Sequence, residues 1–132
     1  MTGILLDTHV WLWYLTGSDR LPAGLRKAIG APTAERWLSP ISVWELGWLV
    51  RANRIRLQDD TYRDWCDRAL AALPVNEAMV SAEVSITAQE MRLGHRDPAD
   101  HLIAATAIVY DLTLLTIDGR LTRISGLKTK SR

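Results

Sequence analysis

Every strand-like run in this chain is short and leads into a helix-like run, and that alternation limits the fold more than any other feature. The run at residues 3–6 ends at Asp7, and "LTLLTI" ends at Asp118. "ERWLSP" reads as a second strand and "PVNE" as a further short one. The run at 3–6 is too short and too rich in β-branched residues and Leu to be a helix alone. Between the strand-like runs lie helical patterns. Asp7-Thr8 supplies capping side chains for a helix near His9. "LPAGLRKAIGAP" is punctuated by Pro22, Gly30 and Pro32. "SPISVWELGWLVRAN" follows with Ser39 or Ser42 as cap. "DDTYRDWCDRALAAL" sets Tyr62, Trp65, Cys66, Ala69, Leu70 and Leu73 at helical spacing. "AMVSAEVSITAQEMRL" reads as a helix ending at Gly94, and "DPADHLIAATAIVYD" opens with Asp97 as cap and Pro98 at the first helical position. Short apolar strands alternating with helices predict an α/β fold, a parallel sheet covered on both faces. After "LTLLTI" a hairpin through Asp118-Gly119 competes with strand-then-helix. The alternation elsewhere favours the latter.

The 132 residues fit a single domain, 1–132, able to bury a core without staples. Phe is absent and Trp occurs six times, so indole carries most aromatic packing. The lone Cys66 excludes an internal disulfide or a multi-Cys zinc site and fits a reducing cytosol. The apolar start has no basic segment before it and breaks at Asp7, so no secretory signal is expected. No apolar run approaches the roughly 18 residues of a membrane span. The expected location is cytoplasmic. Net charge is only +1, not the footprint of a strongly basic nucleic-acid-binding protein. Two basic groups, Arg51/Arg54/Arg56 and the tail Arg120, Arg123, Lys128, Lys130 and Arg132, read as solvated surface.

The acids are less ordinary. Asp7 and Asp118 each close a strand, and ligands of open α/β sheets bind outside the carboxyl ends of strands. Taken singly, each is explained by capping or turn chemistry. Glu45 has Ile41, Trp48 and Leu49 as its helical neighbours, so it is half-buried or faces a cleft. Its structural alternative is an ion pair with Arg51 or Arg54. Asp97 and Asp100 share a face at a helix start, where Asp97 fits as cap. Together the acids would meet at one sheet edge. Like charges that close need a cation between them. All-oxygen ligands suit Mg²⁺ or Mn²⁺, and such a site suits phosphodiester hydrolysis.

Four stretches, "LLDTHVWLW", "ISVWELGWLV", "DPADHLIAATA" and "LLTIDGRL", in this order over the whole chain, resemble a PIN-domain ribonuclease, specifically the toxin of a bacterial VapBC-type toxin–antitoxin pair. The resemblance implies a three-layer α/β/α domain with a central parallel five-stranded sheet. It implies a Mg²⁺- or Mn²⁺-dependent endoribonuclease, with Asp7 and Asp100 as principal metal ligands and Glu45 and Asp118 completing the site. Thr8 and Thr116 would orient carboxylates, and Asp97 would support the site. His101 stands where the family commonly has Arg; if that position anchors a phosphate or carboxylate, the grip here is weaker and pH-dependent, and the alternative is an exposed helix residue of no consequence. A transition-metal reading through His95, Asp97 and His101 is the lesser alternative, because no helical His pair at i, i+4 is present.

Trp11 and Trp13 are two apart on one helix and cannot share a face, whereas Trp44 and Trp48, four apart, do. Core packing must claim most of the six indoles. The candidates for a partner surface are Trp11, Trp13, Trp44 and Trp48, and base stacking is open to an RNA enzyme. The resemblance implies a homodimer and a cognate antitoxin as partners besides RNA. The competing functional classes are a non-catalytic RNA- or protein-binding module of the same fold and a phospho-acceptor domain. The latter wants a Lys after a late strand near the acids, and Lys128 and Lys130 are badly placed for it.

Overall fold

The computed structural model describes residues 3–58, 61–91 and 97–132. The elements run β1 (Ile4–Leu6), α1 (Thr8–Thr16), α2 (Ala23–Gly30), β2 (Arg36–Leu38), α3 (Pro40–Arg51), α4 (Tyr62–Ala72), β3 (Asn76–Glu77), α5 (Ala82–Glu90), α6 (Pro98–Val109), β4 (Thr113–Leu115), α7 (Gly119–Thr122) and β5 (Thr129–Lys130). The five strands form one sheet in the order β3-β2-β1-β4-β5. Every pairing is parallel.

The strands sort the core onto two faces because successive strand side chains point to opposite sides. Leu5 lies beside Leu114, and Leu6 beside Leu115. Leu6, Leu38 and Leu115 pack with Val10, Trp11, Leu25, Ile29, Leu46 and Trp65, under α1 to α4. Leu5 and Leu114 pack the other way, with Ile103, Ala104, Ala107 and Leu121, under α6 and α7. Leu5, Leu6, Leu114 and Leu115 have no exposed surface, and each contributes about 1.5–3 kcal/mol by burial. Thus the short apolar runs are buried on both sides, as the alternation predicts, and the layers are helix, sheet, helix.

Most helix starts are capped by the expected chemistry. Asp7, Ser39, Thr61, Ser81, Asp97 and Asp118 each accept a backbone N–H at the start of the following helix. Ser39 is the cap of α3; Ser42 lies inside the helix, buried. After β4 the chain forms the one-turn helix α7 and then β5 pairs parallel to β4, so the hairpin is not adopted. β5 falls in the basic tail that the sequence reads as solvated surface. Helix α5 ends at Glu90, and Gly94, its expected end, lies outside the described residues.

The chain turns back at β1. It builds β2 and β3 on one side of that strand, then returns to build β4 and β5 on the other. Such a reversal opens a crevice at the carboxyl ends of the central strands. Both acids that close apolar runs, Asp7 and Asp118, follow these central strands, β1 and β4.

Candidate metal centre

Asp7 is the first residue past β1. Its backbone N–H donates to the Leu115 carbonyl at 3.1 Å, which carries the β1–β4 pairing one step further and holds Asp7 beside the end of β4. Its side chain is buried and both carboxylate oxygens are engaged. Oδ1 accepts the Thr8 N–H at 2.8 Å, and Oδ2 accepts the Thr116 hydroxyl at 2.7 Å. Burial pushes this carboxyl above the ordinary carboxylate range. The Thr116 and Thr8 hydrogen bonds and the charge of His9 pull it partly back, and the charge of Asp118 adds to the rise.

Thr116, itself fully buried, also accepts the Asp118 N–H at 3.0 Å. One hydroxyl therefore ties the acid after β1 to the acid after β4. Asp118 caps α7 through Oδ1 and the Arg120 N–H.

Glu45 reaches the same edge from α3, which starts at Pro40, two residues past the end of β2. Thr8 Oγ1 donates to Glu45 Oε1 at 2.5 Å. Burial pushes Glu45 up to about 7; the Thr8 hydroxyl opposes this, while the charges of Asp97, Asp7 and Asp100 add to it. Among the described residues Glu45 has no arginine partner. Arg54 instead stacks over Trp48, its guanidinium carbon 5.7 Å from the ring centroid.

Helix α6 contributes two more acids. Asp97 is its cap, accepting the Ala99 N–H at 3.0 Å, and Pro98 takes the first helical position. Asp100 sits within the first turn and is buried. Among the described residues, carboxylate oxygens of Glu45, Asp97 and Asp100 lie within 4.8 Å of one another. The tightest acidic grouping thus contains Asp97, which the sequence marks chiefly as a cap. Asp97 is both the cap of α6 and a member of that grouping.

All five acids line one cleft of about 430 Å³, together with His9, Trp13, Arg20, Ile117 and Arg120. The acids facing it are oxygen donors, two of them held by threonine hydroxyls, and the grouped ligands Glu45, Asp97 and Asp100 are all carboxylates, with the His9 ring also in the lining. An all-oxygen set whose members raise one another's proton affinity suits a hard divalent cation. Thr8 and Thr116 stand behind Asp7 and Glu45 rather than in the cleft wall.

Other expectations fall differently. His101 follows Asp100 on α6 but is not in the cleft lining. Among the described residues, the arginines lining the cleft are Arg20 and Arg120, with His9 beside them. The sequence groups Arg120 with the basic tail, yet its side chain returns to Asp118 and Asp100. Its position two residues after a strand-closing acid is the signal that could have found it. His95 lies outside the described residues, so the His95–Asp97–His101 reading rests on no geometry.

The indoles separate as their spacing requires. Trp11 is fully buried, edge-on to Trp65 with ring centroids 5.3 Å apart. Packing in the core removes Trp11 from the expected partner surface. Trp13 is part-buried and lines the acidic cleft, with the His9 ring 5.7 Å away. Trp44 and Trp48 lie on a separate side of α3, 63% and 42% exposed, along an apolar groove of about 740 Å³ that also includes Val43, Gly47, Tyr62 and Leu70.

Comparison with known proteins agrees with this architecture. The family model described as PIN domain matches residues 4–127. Ribonuclease VapC22 of Mycobacterium tuberculosis is 35% identical over 122 residues, covering 92% of this chain and 91% of the relative. Among solved structures, the DNA-bound VapBC of Salmonella typhimurium aligns with a TM-score of 0.71 at 19% identity, over 98% of both chains. VapBC2 of Rickettsia felis, bound to a promoter DNA fragment, aligns at 0.68 and 20% identity over 96% of both. At those identities the structures speak for the fold. With a family match over nearly its full length, and a relative more than 30% identical across that same length, the chain belongs to the PIN domain family.

Proposed function

We propose that this protein is a divalent-metal-dependent endoribonuclease toxin that hydrolyses RNA phosphodiester bonds and is neutralised by a cognate antitoxin. The observation that carries the reading is the convergence of Asp7, Glu45, Asp100 and Asp118, joined by Asp97, in one cleft at the carboxyl edge of the sheet. The 35% identical relative bears the name ribonuclease, and similar solved structures are toxin–antitoxin complexes, which supports both the activity and the antitoxin. In this reading 1–132 is one PIN domain acting in the cytoplasm.

Asp7, Asp100, Glu45 and Asp118 would hold Mg²⁺ or Mn²⁺, with Asp97 beside them. When bound, the cation supplies Lewis-acid stabilisation of the charge that develops on the phosphate and the leaving oxygen. The chain's own groups do the rest. Thr116 and Thr8 hold the Asp7 and Glu45 carboxylates, so these two ligands need little reorientation on loading. Arg20 gives the cleft rim a positive charge for the RNA backbone. Trp13 and Ile117 offer apolar surface against which a base beside the scissile phosphate can rest. Trp44 and Trp48 would meet an antitoxin or a second copy.

The test is cleavage of a structured and an unstructured RNA by wild type and by Asp7→Asn, each with Mn²⁺, with Mg²⁺ and with EDTA. Loss of cleavage in Asp7→Asn and in EDTA is expected. Equal cleavage by both proteins, or cleavage that survives EDTA, overturns the reading. RNA binding without cleavage and without metal uptake would instead favour a non-catalytic binding module.

A further inference from the structure

Asp100 and Asp118 come from different elements, α6 and α7, and one guanidinium stands between them. Arg120 Nε lies 3.2 Å from Asp118 Oδ1, and Nη2 lies 3.0 Å from Asp118 Oδ2. The same Nη2 is 3.7 Å from Asp100 Oδ2. This is a two-pronged grip on one carboxylate with a second carboxylate at its tip, a geometry that Arg can make and Lys cannot. The side chain is 56% exposed, whereas the Asp100 side chain is 10% exposed. Arg120 is therefore held by its charged end, while its stem has room to swing.

A small divalent cation takes carboxylate oxygens at about 2.0–2.1 Å and binds through one or two carboxylates. A cation shared by Asp100 and Asp118 would need the oxygens that Arg120 now covers, and two positive charges do not share that space. We propose that Arg120 is an internal counter-ion of this site: it occupies the Asp100–Asp118 position while the metal is absent, competes with the metal for it, and swings to the cleft rim on loading. The inference rests on the metal-site reading above and adds a built-in competitor to it. At the rim the guanidinium would stand beside the path of an incoming RNA phosphate, so displacement converts a gate into a phosphate contact.

Calorimetric titration of Mn²⁺ into wild type, Arg120→Gln and Arg20→Gln tests this. Arg20 lines the same cleft but is not in ion-pair contact with Asp100 or Asp118, so it controls for a general loss of positive charge. Arg120→Gln is expected to bind Mn²⁺ about three- to tenfold more tightly than wild type, the scale on which one exposed, bidentate ion pair competes. Arg20→Gln is expected to shift affinity by less than half as much on a logarithmic scale. In EDTA, Arg120→Gln is expected to melt below wild type, because Asp118 and Asp100 lose the Arg120 ion pair, and to gain more from added Mn²⁺. Unchanged or weaker Mn²⁺ binding in Arg120→Gln, or an equal gain in Arg20→Gln, overturns the proposal while leaving the metal site standing. Absence of Mn²⁺ binding in all three proteins overturns the metal-site reading and this inference with it.

Discussion

The Thr116 hydroxyl donates to Asp7 Oδ2 at 2.7 Å across 109 residues of sequence. The bond joins the ends of β1 and β4 and, with the Thr8 N–H on the other oxygen, holds the Asp7 carboxylate from both sides. Replacing Thr116 by Val keeps the shape but removes the donor, so a buried carboxylate loses a partner. The expected cost is about 1–3 kcal/mol, read as a fall in melting temperature. Loss of the group that orients a ligand is further expected to reduce Mn²⁺ affinity about 10–100-fold. Thr116→Ser, which restores the hydroxyl, should recover most of the affinity. If Thr116→Val binds Mn²⁺ like wild type, the hydroxyl does not orient the site.

The metal-free protein is expected to lose stability as pH rises from about 4.5 to about 7. The sign follows from Glu45, whose carboxyl is pushed up from 4.5 to about 7 by burial, with Asp97, Asp7 and Asp100 adding to the rise. Between those values the folded chain binds a proton that the unfolded chain has released, so the slope of stability with pH is negative. Asp7, also raised, acts in the same direction. A divalent cation reverses the preference, because it binds the ionised form and expels the proton. Melting curves in EDTA should therefore fall across this window, and the Mn²⁺-induced gain should grow. Glu45→Gln should flatten the metal-free profile. A profile that rises with pH in EDTA would contradict the assignment.

What the sequence disclosed, and what it hid, follows from the range of the interactions involved. Asp7 and Asp118 were visible because each ends an apolar run, and the run's burial forces the acid to the sheet edge. Glu45 was visible because its helical neighbours are apolar. Ser39 and Ser42 were equally good caps on paper, and only the end of β2 decides between them. The spacing of Trp11 and Trp13 required divergence but could not say which turned inward, since that depends on Trp65 from a distant helix. Strand β5, Thr129–Lys130, is two residues long and carries a lysine, so no periodicity marks it; backbone pairing with β4 creates it. Arg120 was hidden for the same reason. Its partner Asp100 lies on α6, and charge counting along the tail does not reveal contacts across the fold.

Gly47 is expected to resist substitution. A Cβ placed there would sit 2.7 Å from Tyr62 Cε2. The ring has little room to yield: it stacks on Trp65 with centroids 6.3 Å apart, and its hydroxyl donates to the Val43 carbonyl at 2.5 Å. Gly47→Ala therefore forces α3 from α4 and should cost about 1–3 kcal/mol despite the better helix propensity of Ala. Chemical denaturation measures it. Adding Tyr62→Leu, which removes the ring, should make the Ala substitution nearly neutral; an equal penalty in both backgrounds would show that the clash is not the cause.

Helix α3 turns Glu45 toward the acidic cleft and Trp44 and Trp48 toward the apolar groove, so substitutions on one helix should separate chemistry from partnership. Trp44 is 63% exposed, and Trp48 is 42% exposed with Arg54 over its ring. Truncating Trp44, the more exposed of the two, should change stability by about 1 kcal/mol, whereas truncating Trp48, more than half covered and under Arg54, should cost about 1–3 kcal/mol. Large exposed indoles beside a groove are where binding energy concentrates when a partner covers it. Trp44→Ala and Trp48→Ala are each expected to weaken association with the co-expressed antitoxin, or with a second copy, by about 2 kcal/mol, roughly thirtyfold. Mn²⁺ binding at the acidic cleft should stay at the wild-type value, because neither indole lines it. Binding assays on the purified complex, sedimentation of the free protein and Mn²⁺ titration together decide the matter. Unchanged association in both variants would remove the groove as the partner surface, and a fall in Mn²⁺ affinity would show that the two faces of α3 are not independent.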